Sequence, residues 1–268
     1  MKIVILGTGN IGTCLTFALK NAGHDIVQLF NRTRENAVHL SKKLSIPLVS
    51  HMEELDPCAE IYILAVSDKA LPQVTSDFPY KDKMVVHVSG SMDIEILKNY
   101  FKCCGVFYPL QTFSKQRSPN FENVPIFIEA SSEKKGQILH ELASSLSGKV
   151  DYLESSKRKL LHTSAVFCCN FVNHMLAIGE EMLIKQDIPF SIMESLVRET
   201  IEKAFNNSPH LVQTGPAVRG DKETLRLHEE VLSNEPEKLE IYKVISKNIS
   251  NFQHEISIKK SSLFHQGK

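Results

Sequence analysis

Ile3-Val4-Ile5-Leu6-Gly7-Thr8-Gly9-Asn10-Ile11-Gly12 is the stretch that decides how this chain folds. Four apolar residues read as a short buried strand, the glycines as a turn, and residues 11–21 as a helix. Between a strand and a helix, Gly-x-Gly-x-x-Gly has a mechanical meaning. Gly7 permits the tight turn, Gly9 lets a pyrophosphate approach the backbone, and Gly12 lets the helix pack closely on the strand. The amide N–H groups around Asn10 and Ile11, at the positive end of the helix, then face the anion. The plainer alternative is a simple strand-to-helix turn.

Working outward, residues 25–30 read as a second strand, and its end carries Asn31-Arg32-Thr33-Arg34. A NAD-binding unit places Asp or Glu there, about 20 residues past the glycines, to accept bonds from the ribose hydroxyls. A guanidinium and a hydroxyl stand there instead. Arg32 can pair bidentately with a 2′-phosphate and Thr33 can add a bond, with Asn31 beside them, which selects NADP over NAD. Otherwise Arg32 and Arg34 form an ordinary solvated helix start.

Further strands are expected at residues 46–49, 60–66, 84–88, 105–108, 124–129 and 149–153, with a helix at 133–146. Strands alternating with helical segments give an α/β fold with a doubly wound, mostly parallel Rossmann sheet over residues 1–153. Ligands of such sheets sit past the carboxyl ends of the strands, so Val66, Ser67, Ser89 and Gly90 are expected to line the nicotinamide side. Serine and glycine at those places also serve as turn chemistry alone.

From residue 154 to 268 helical periodicity takes over. Residues 155–186 carry Leu160, Leu161, Phe167, Phe171 and Met175 on most sides, the pattern of a helix buried in its own domain or against a second subunit. At about 100° per residue, Lys159, His162, Val166, Asn170 and Asn173 fall on one stripe within about 80°. Polar groups on a buried helix either satisfy neighbouring segments or face a substrate. Hydride transfer to a carbonyl or imine needs a proton donor or acceptor near the reacting heteroatom, and imidazole titrates near neutrality, so His162 is the catalytic candidate. Asn170 and Asn173 would hold the substrate by amide hydrogen bonds, and Lys159 would attract a carboxylate. Further on, the turn of residues 214–221 brings Gly215, Pro216 and Arg219 to a helix start with Asp221 as its cap. It is either an anion-holding turn to which Arg219 contributes or a capped loop only. The last helix is expected over 236–256, with a frayed tail at 259–268.

Composition narrows the function classes. Lys plus Arg and Asp plus Glu number 31 each, which argues against a nucleic-acid or membrane-surface protein driven by bulk charge. Six cysteines without a Cys-x-x-Cys spacing suggest neither a metal site nor a disulfide framework, and fit a reducing, cytoplasmic setting. A first strand that begins at once leaves no room for a signal peptide, and no apolar run is expected to reach the roughly 18 residues of a membrane span.

The unit with Gly7-Thr8-Gly9-Asn10-Ile11-Gly12 and Asn31-Arg32-Thr33 resembles the NADP-binding domain of pyrroline-5-carboxylate reductase and that of deazaflavin-dependent NADP reductases. With His162-Thr163-Ser164-Ala165, Asn170 and Thr214-Gly215-Pro216 through Arg219-Gly220-Asp221, nearly the whole chain is similar to candidate NADP oxidoreductases that pair a Rossmann-like domain with a domain of unknown function. The resemblance implies a homodimer whose all-helical domains pack together, in the manner of the carboxyl-terminal domain of 6-phosphogluconate dehydrogenase, with the active site between domains. Two departures limit what carries over. The catalytic lysine of the 6-phosphogluconate and β-hydroxyacid dehydrogenases would fall on Val166, four residues before Asn170. The loop after Gly215-Pro216 lacks the glycine- and threonine-rich character of the pyrroline-5-carboxylate reductase substrate loop. The expected function is thus an NADP-dependent oxidoreductase acting on a small, anionic carbonyl or imine compound, with His162, Asn170, Asn173 and Arg219 at the reacting centre. The alternative is a non-catalytic NADP-binding sensor or regulatory dimer.

Overall fold

The computed structural model describes residues 1–117 and 119–265. Strand β1 (Lys2–Leu6) is the spine: Ile3 to Leu6 are all fully buried. It is followed by α1 (Asn10–Asn21), β2 (Asp25–Phe30), α2 (Glu35–Leu44), β3 (Leu48–Val49), β4 (Ile61–Leu64), α3 (Leu71–Asp77), β5 (Met84–His87), α4 (Glu95–Lys98), β6 (Cys104–Pro109), β7 (Ile126–Ala130), α5 (Glu133–Ser144) and β8 (Val150–Tyr152). The strands form one sheet in the order β3-β2-β1-β4-β5-β6-β7-β8. All neighbours run parallel except β6 and β7.

Alternation along β1 splits the core in two, as a sheet covered on both faces requires. Ile3 and Ile5 pack with Leu15, Leu19 and Leu139 on one face, whereas Val4 and Leu6 pack with Tyr62, Phe78 and Phe101 on the other. Register brings the carboxyl ends into line, with Leu6 opposite both Phe30 and Leu64, and Leu64 opposite His87. The strand order reverses between β1 and β4, and the crevice at such a switch point is where ligands of open α/β sheets bind.

The chain forms two compact units, Met1–Phe171 and the chain from Val172 onward. Besides the sheet, the first unit includes α6 (Ser155–Ala165) and a π-helical segment, Val166–Phe171. In the second, α7 (Val172–Ile184), α8 (Glu194–Asn206), α9 (Pro216–Arg219), α10 (Lys222–Val231) and α11 (Pro236–His265) follow in turn. Gly215 takes a left-handed φ of 114° ahead of Pro216 at the first position of α9, and Asp221 caps α10 by accepting the Thr224 N–H at 3.1 Å. The last helix continues past the expected residue 256 to His265, so only residues 266–268 of the expected frayed tail fall outside the described residues.

The long helix departs in three respects from a uniform, covered α-helix. Its apolar side is not covered by its own chain: Leu160 is 70% exposed and Phe167 63%, which leaves burial against a second subunit as the other expected arrangement. The π segment turns through a smaller angle per residue than an α-helix, so counting at a constant angle does not hold over Val166–Phe171. Third, whereas no apolar run is expected to reach a membrane span, among the described residues the 30-residue helix from Ser155 to Ile184 is, by length and composition alone, apolar enough to cross a membrane.

Candidate active site

The three glycines of the first turn differ in what surrounds them. Gly7 has a φ of 101°, and a Cβ there would lie 2.4 Å from the Ala65 carbonyl oxygen. A Cβ on Gly12 would meet the Gly7 carbonyl oxygen at 2.0 Å, so this glycine is what lets α1 approach the turn. Gly9 has no atom within 4 Å of a Cβ position and faces open space. No side chain caps α1 and no acidic residue stands in its first turn, so the amides of Asn10 and Ile11 keep their attraction for an anion.

Around this turn lies a cleft of about 1000 Å³, lined by Gly7, Gly9, Asn31, Arg32, Thr33, Val66 and Ser67 among others. Asn31 organises its rim: the Thr8 N–H donates to its Oδ1 at 3.3 Å, and its Nδ2 donates to the Thr33 carbonyl at 2.6 Å. Arg34 is tied down by donating to the Leu48 carbonyl at 3.2 Å, whereas the exposed Arg32 guanidinium makes no hydrogen bond or ion pair among the described residues. The cleft has two further cations that the sequence did not single out, Lys69 just past Ser67 and Lys115 from the β6–β7 connection. Lys69 follows directly from the strand-end rule, but nothing local announces that Lys115 folds back to the glycine turn. An open Gly9, an uncapped helix start and unpaired Arg32 fit a dinucleotide with a 2′-phosphate.

Ser89 and Gly90 lie outside the lining of that cleft. Ser89 does turn chemistry: its N–H donates to His87 Nδ1 at 3.1 Å, and its Oγ accepts the N–H groups of Ser91 and Met92 at 3.1 and 3.0 Å. Gly90 faces His162 instead. A Cβ there would fall 2.5 Å from His162 Nδ1 and 2.9 Å from Tyr108 Cζ. The missing side chain therefore makes room for a contact that sequence reasoning missed, Tyr108 Oη to His162 Nδ1 at 2.9 Å. The two rings meet edge to face, 5.9 Å apart. Tyr108 sits near the carboxyl end of β6, 6% exposed, and burial pushes its hydroxyl up to about 12 although Arg158 pulls the other way. The rule that pointed to Val66 and Ser89 also applied to Tyr108.

One turn before His162, Arg158 is fully buried. Its Nη1 pairs with Glu129 Oε2, and its Nη2 donates to the Met92 carbonyl at 2.7 Å and to Ser155 Oγ at 2.9 Å. Ser155 Oγ in turn donates to Glu129 Oε2 at 2.7 Å and accepts the Ile94 N–H at 3.1 Å. This network fastens the start of α6 to β7 and to the loop after β5, and so fixes where His162 stands. Burial, with Arg158 second, drives the nearby His87 down to about 3. Lys159 pairs with Asp93 at 3.1 Å, so the carboxylate it attracts is the protein's own. Asn170 is exposed on the π segment; Asn173 and Arg219 are exposed in the second unit.

Comparison with known proteins matches residues 2–90 to the family model described as NADP oxidoreductase, coenzyme F420-dependent, and residues 124–249 to a domain of unknown function. Among curated proteins none matches. Among solved structures, a candidate NADP oxidoreductase from Bacteroides fragilis is 38% identical, with 93% of this chain and 98% of that one covered and a TM-score of 0.89. The 1-pyrroline-5-carboxylate reductase of Streptococcus pyogenes shares the fold at 15% identity over 92% and 98% of the two chains, TM-score 0.64. The imine reductase of Myxococcus stipitatus, solved with NADP+, does so at 12% identity over 96% and 95%, also with a TM-score of 0.64.

Proposed function

The chain belongs to the NADP oxidoreductases that join a Rossmann-type domain to a helical domain, and from that premise we propose that it reduces a small, anionic carbonyl or imine compound with His162 at the reacting centre. Bound NADPH supplies the hydride. The glycine turn with Asn10 and Ile11 holds the pyrophosphate, Arg32 and Thr33 hold the 2′-phosphate beside Asn31, and Val66 and Ser67 line the cleft. His162 Nε2 gives a proton to the carbonyl oxygen or imine nitrogen. Asn170, Asn173 and Arg219 are assigned to positioning the substrate, Arg219 to its anionic group.

The observation that carries this reading is the meeting of Gly90, Tyr108 and His162 where β5 and β6 end, at the edge of the sheet where the glycine turn also lies. The exposed apolar residues Leu160, Phe167, Ile192 and Leu196 support a homodimer formed through the helical region. Six free cysteines suit a reducing, cytoplasmic compartment. Replacing His162 by Ala should lower turnover about 100-fold or more while NADPH affinity, read by calorimetry, stays within about twofold. Unchanged turnover removes His162 from the reaction. NADPH binding without turnover on any carbonyl or imine compound would favour a sensor instead.

A further inference from the structure

His162 has two ring nitrogens, and their surroundings differ. Nδ1 faces Gly90 and the Tyr108 hydroxyl, whereas Nε2 has no hydrogen-bond partner among the described residues. Tyr108 is buried, and His162 Nδ1 is its only hydrogen-bond partner among the described residues. A buried hydroxyl that keeps its proton must donate it, because leaving the donor unmade costs more than the bond itself is worth. The phenol is held protonated well past neutrality by burial. Its hydrogen is therefore directed at the Nδ1 lone pair, and a neutral imidazole that accepts at Nδ1 carries its own hydrogen on Nε2.

We propose that Tyr108 is the positioning residue that selects the tautomer of His162, fixing the ring so that Nε2–H is presented as a donor. This rests on the reading of His162 as the group that meets the substrate. It also gives that reading a direction. As hydride adds, a ring held with hydrogen on Nε2 can pass that proton to the carbonyl oxygen or imine nitrogen while taking the Tyr108 proton at Nδ1, solvent then restoring the phenol, as reduction requires. In the same state it has no lone pair at Nε2 with which to take a proton from an alcohol or amine, as oxidation requires. The resting protonation state is therefore the one from which reduction starts; oxidation would start from the state with the Tyr108 proton removed. Gly90 is part of the same device, since a side chain there would occupy the space in which the phenol and the imidazole meet.

Imidazole nitrogen NMR reads the tautomer directly, on the protein with 15N-labelled histidine at about pH 8 and with no substrate present. The His162 signals are identified by their loss in His162→Gln. The expected result is a protonated Nε2 and an unprotonated Nδ1 in the wild type, and a mixture of both tautomers in Tyr108→Phe. A wild-type ring protonated on Nδ1, or identical tautomer populations in the two proteins, overturns the inference. In turnover, Tyr108→Phe is expected to lose about tenfold in kcat, the scale of one hydrogen bond, while NADPH affinity changes less than about twofold. If His162→Ala keeps full activity while the spectra show Nε2–H pinned by Tyr108, the tautomer assignment stands and the role given to His162 in the reaction falls.

Discussion

Lowering the pH from 8 to 5 should remove about 2 kcal/mol of stability from the sheet-bearing unit through His87 alone. This side chain ends β5, is 1% exposed, and uses Nδ1 to accept the Ser89 N–H that starts the loop carrying Gly90. Burial and the Arg158 guanidinium hold it at about 3, against roughly 6.5 in an unfolded chain. The folded value is the lower one, so between the two the unfolded chain binds a proton that the native state refuses. The stability is therefore fully present above about pH 6.5 and drains as the pH falls towards 3. At pH 5 the difference approaches one proton, and integrating from pH 8 gives about 2 kcal/mol. Urea unfolding at pH 8, 7, 6 and 5, run in parallel on wild type and His87→Gln, isolates the effect because every other titrating group is common to both. A difference between the two proteins that stays constant within about 0.5 kcal/mol across the series would mean that His87 charges freely in the native state, and the account of its burial would be wrong.

Other consequences are simpler. Arg32→Ala should weaken NADPH about 10- to 100-fold by calorimetry and leave NADH unchanged, because only the 2′-phosphate loses a charge-assisted partner. Gly90→Ala places a methyl group 2.5 Å from His162 Nδ1 and should cost about 1–3 kcal/mol in urea unfolding, with a loss of turnover much larger than any change in NADPH affinity. Glu129→Gln strips the carboxylate from a fully buried guanidinium and should cost about 3–5 kcal/mol, read the same way.

Most of the sheet was legible because its signals are local. Each strand is an apolar run that ends in a turn, and the three glycines of the first turn meet three different surroundings, each as its place in the motif requires. The choice of NADP as cofactor was legible for the same reason, since a residue type at a strand end is a one-dimensional fact. What escaped depends on distant partners. Tyr108 looked like any strand aromatic until His162, 54 residues away, came beside it. Val166–Phe171 contains no proline or glycine to announce a change of helical pitch, so the constant angle assumed in reading the helix does not hold there.

The start of α6 shows a deeper reason for the misreading. Ser155, Arg158 and His162 are spaced at three and four residues and lie along one face. That face meets the sheet: Ser155 and Arg158 are buried, whereas Leu160 points outward. The usual order is inverted, with polar groups inside and apolar ones outside, and hydrophobic periodicity assigns such a helix its wrong side. The inversion has a chemical use. A bare apolar contact would let α6 slide or rotate by a residue with little loss, because non-directional packing tolerates small shifts. The Arg158 fork, bonded at once to Glu129, Ser155 and the Met92 carbonyl, does not, since each bond depends on angle as well as distance. His162 lies one turn beyond that fork, and its bond to Tyr108 inherits the same fixed register. The arrangement that locks the histidine in place therefore leaves outward apolar residues such as Leu160 and Phe167 uncovered within one chain.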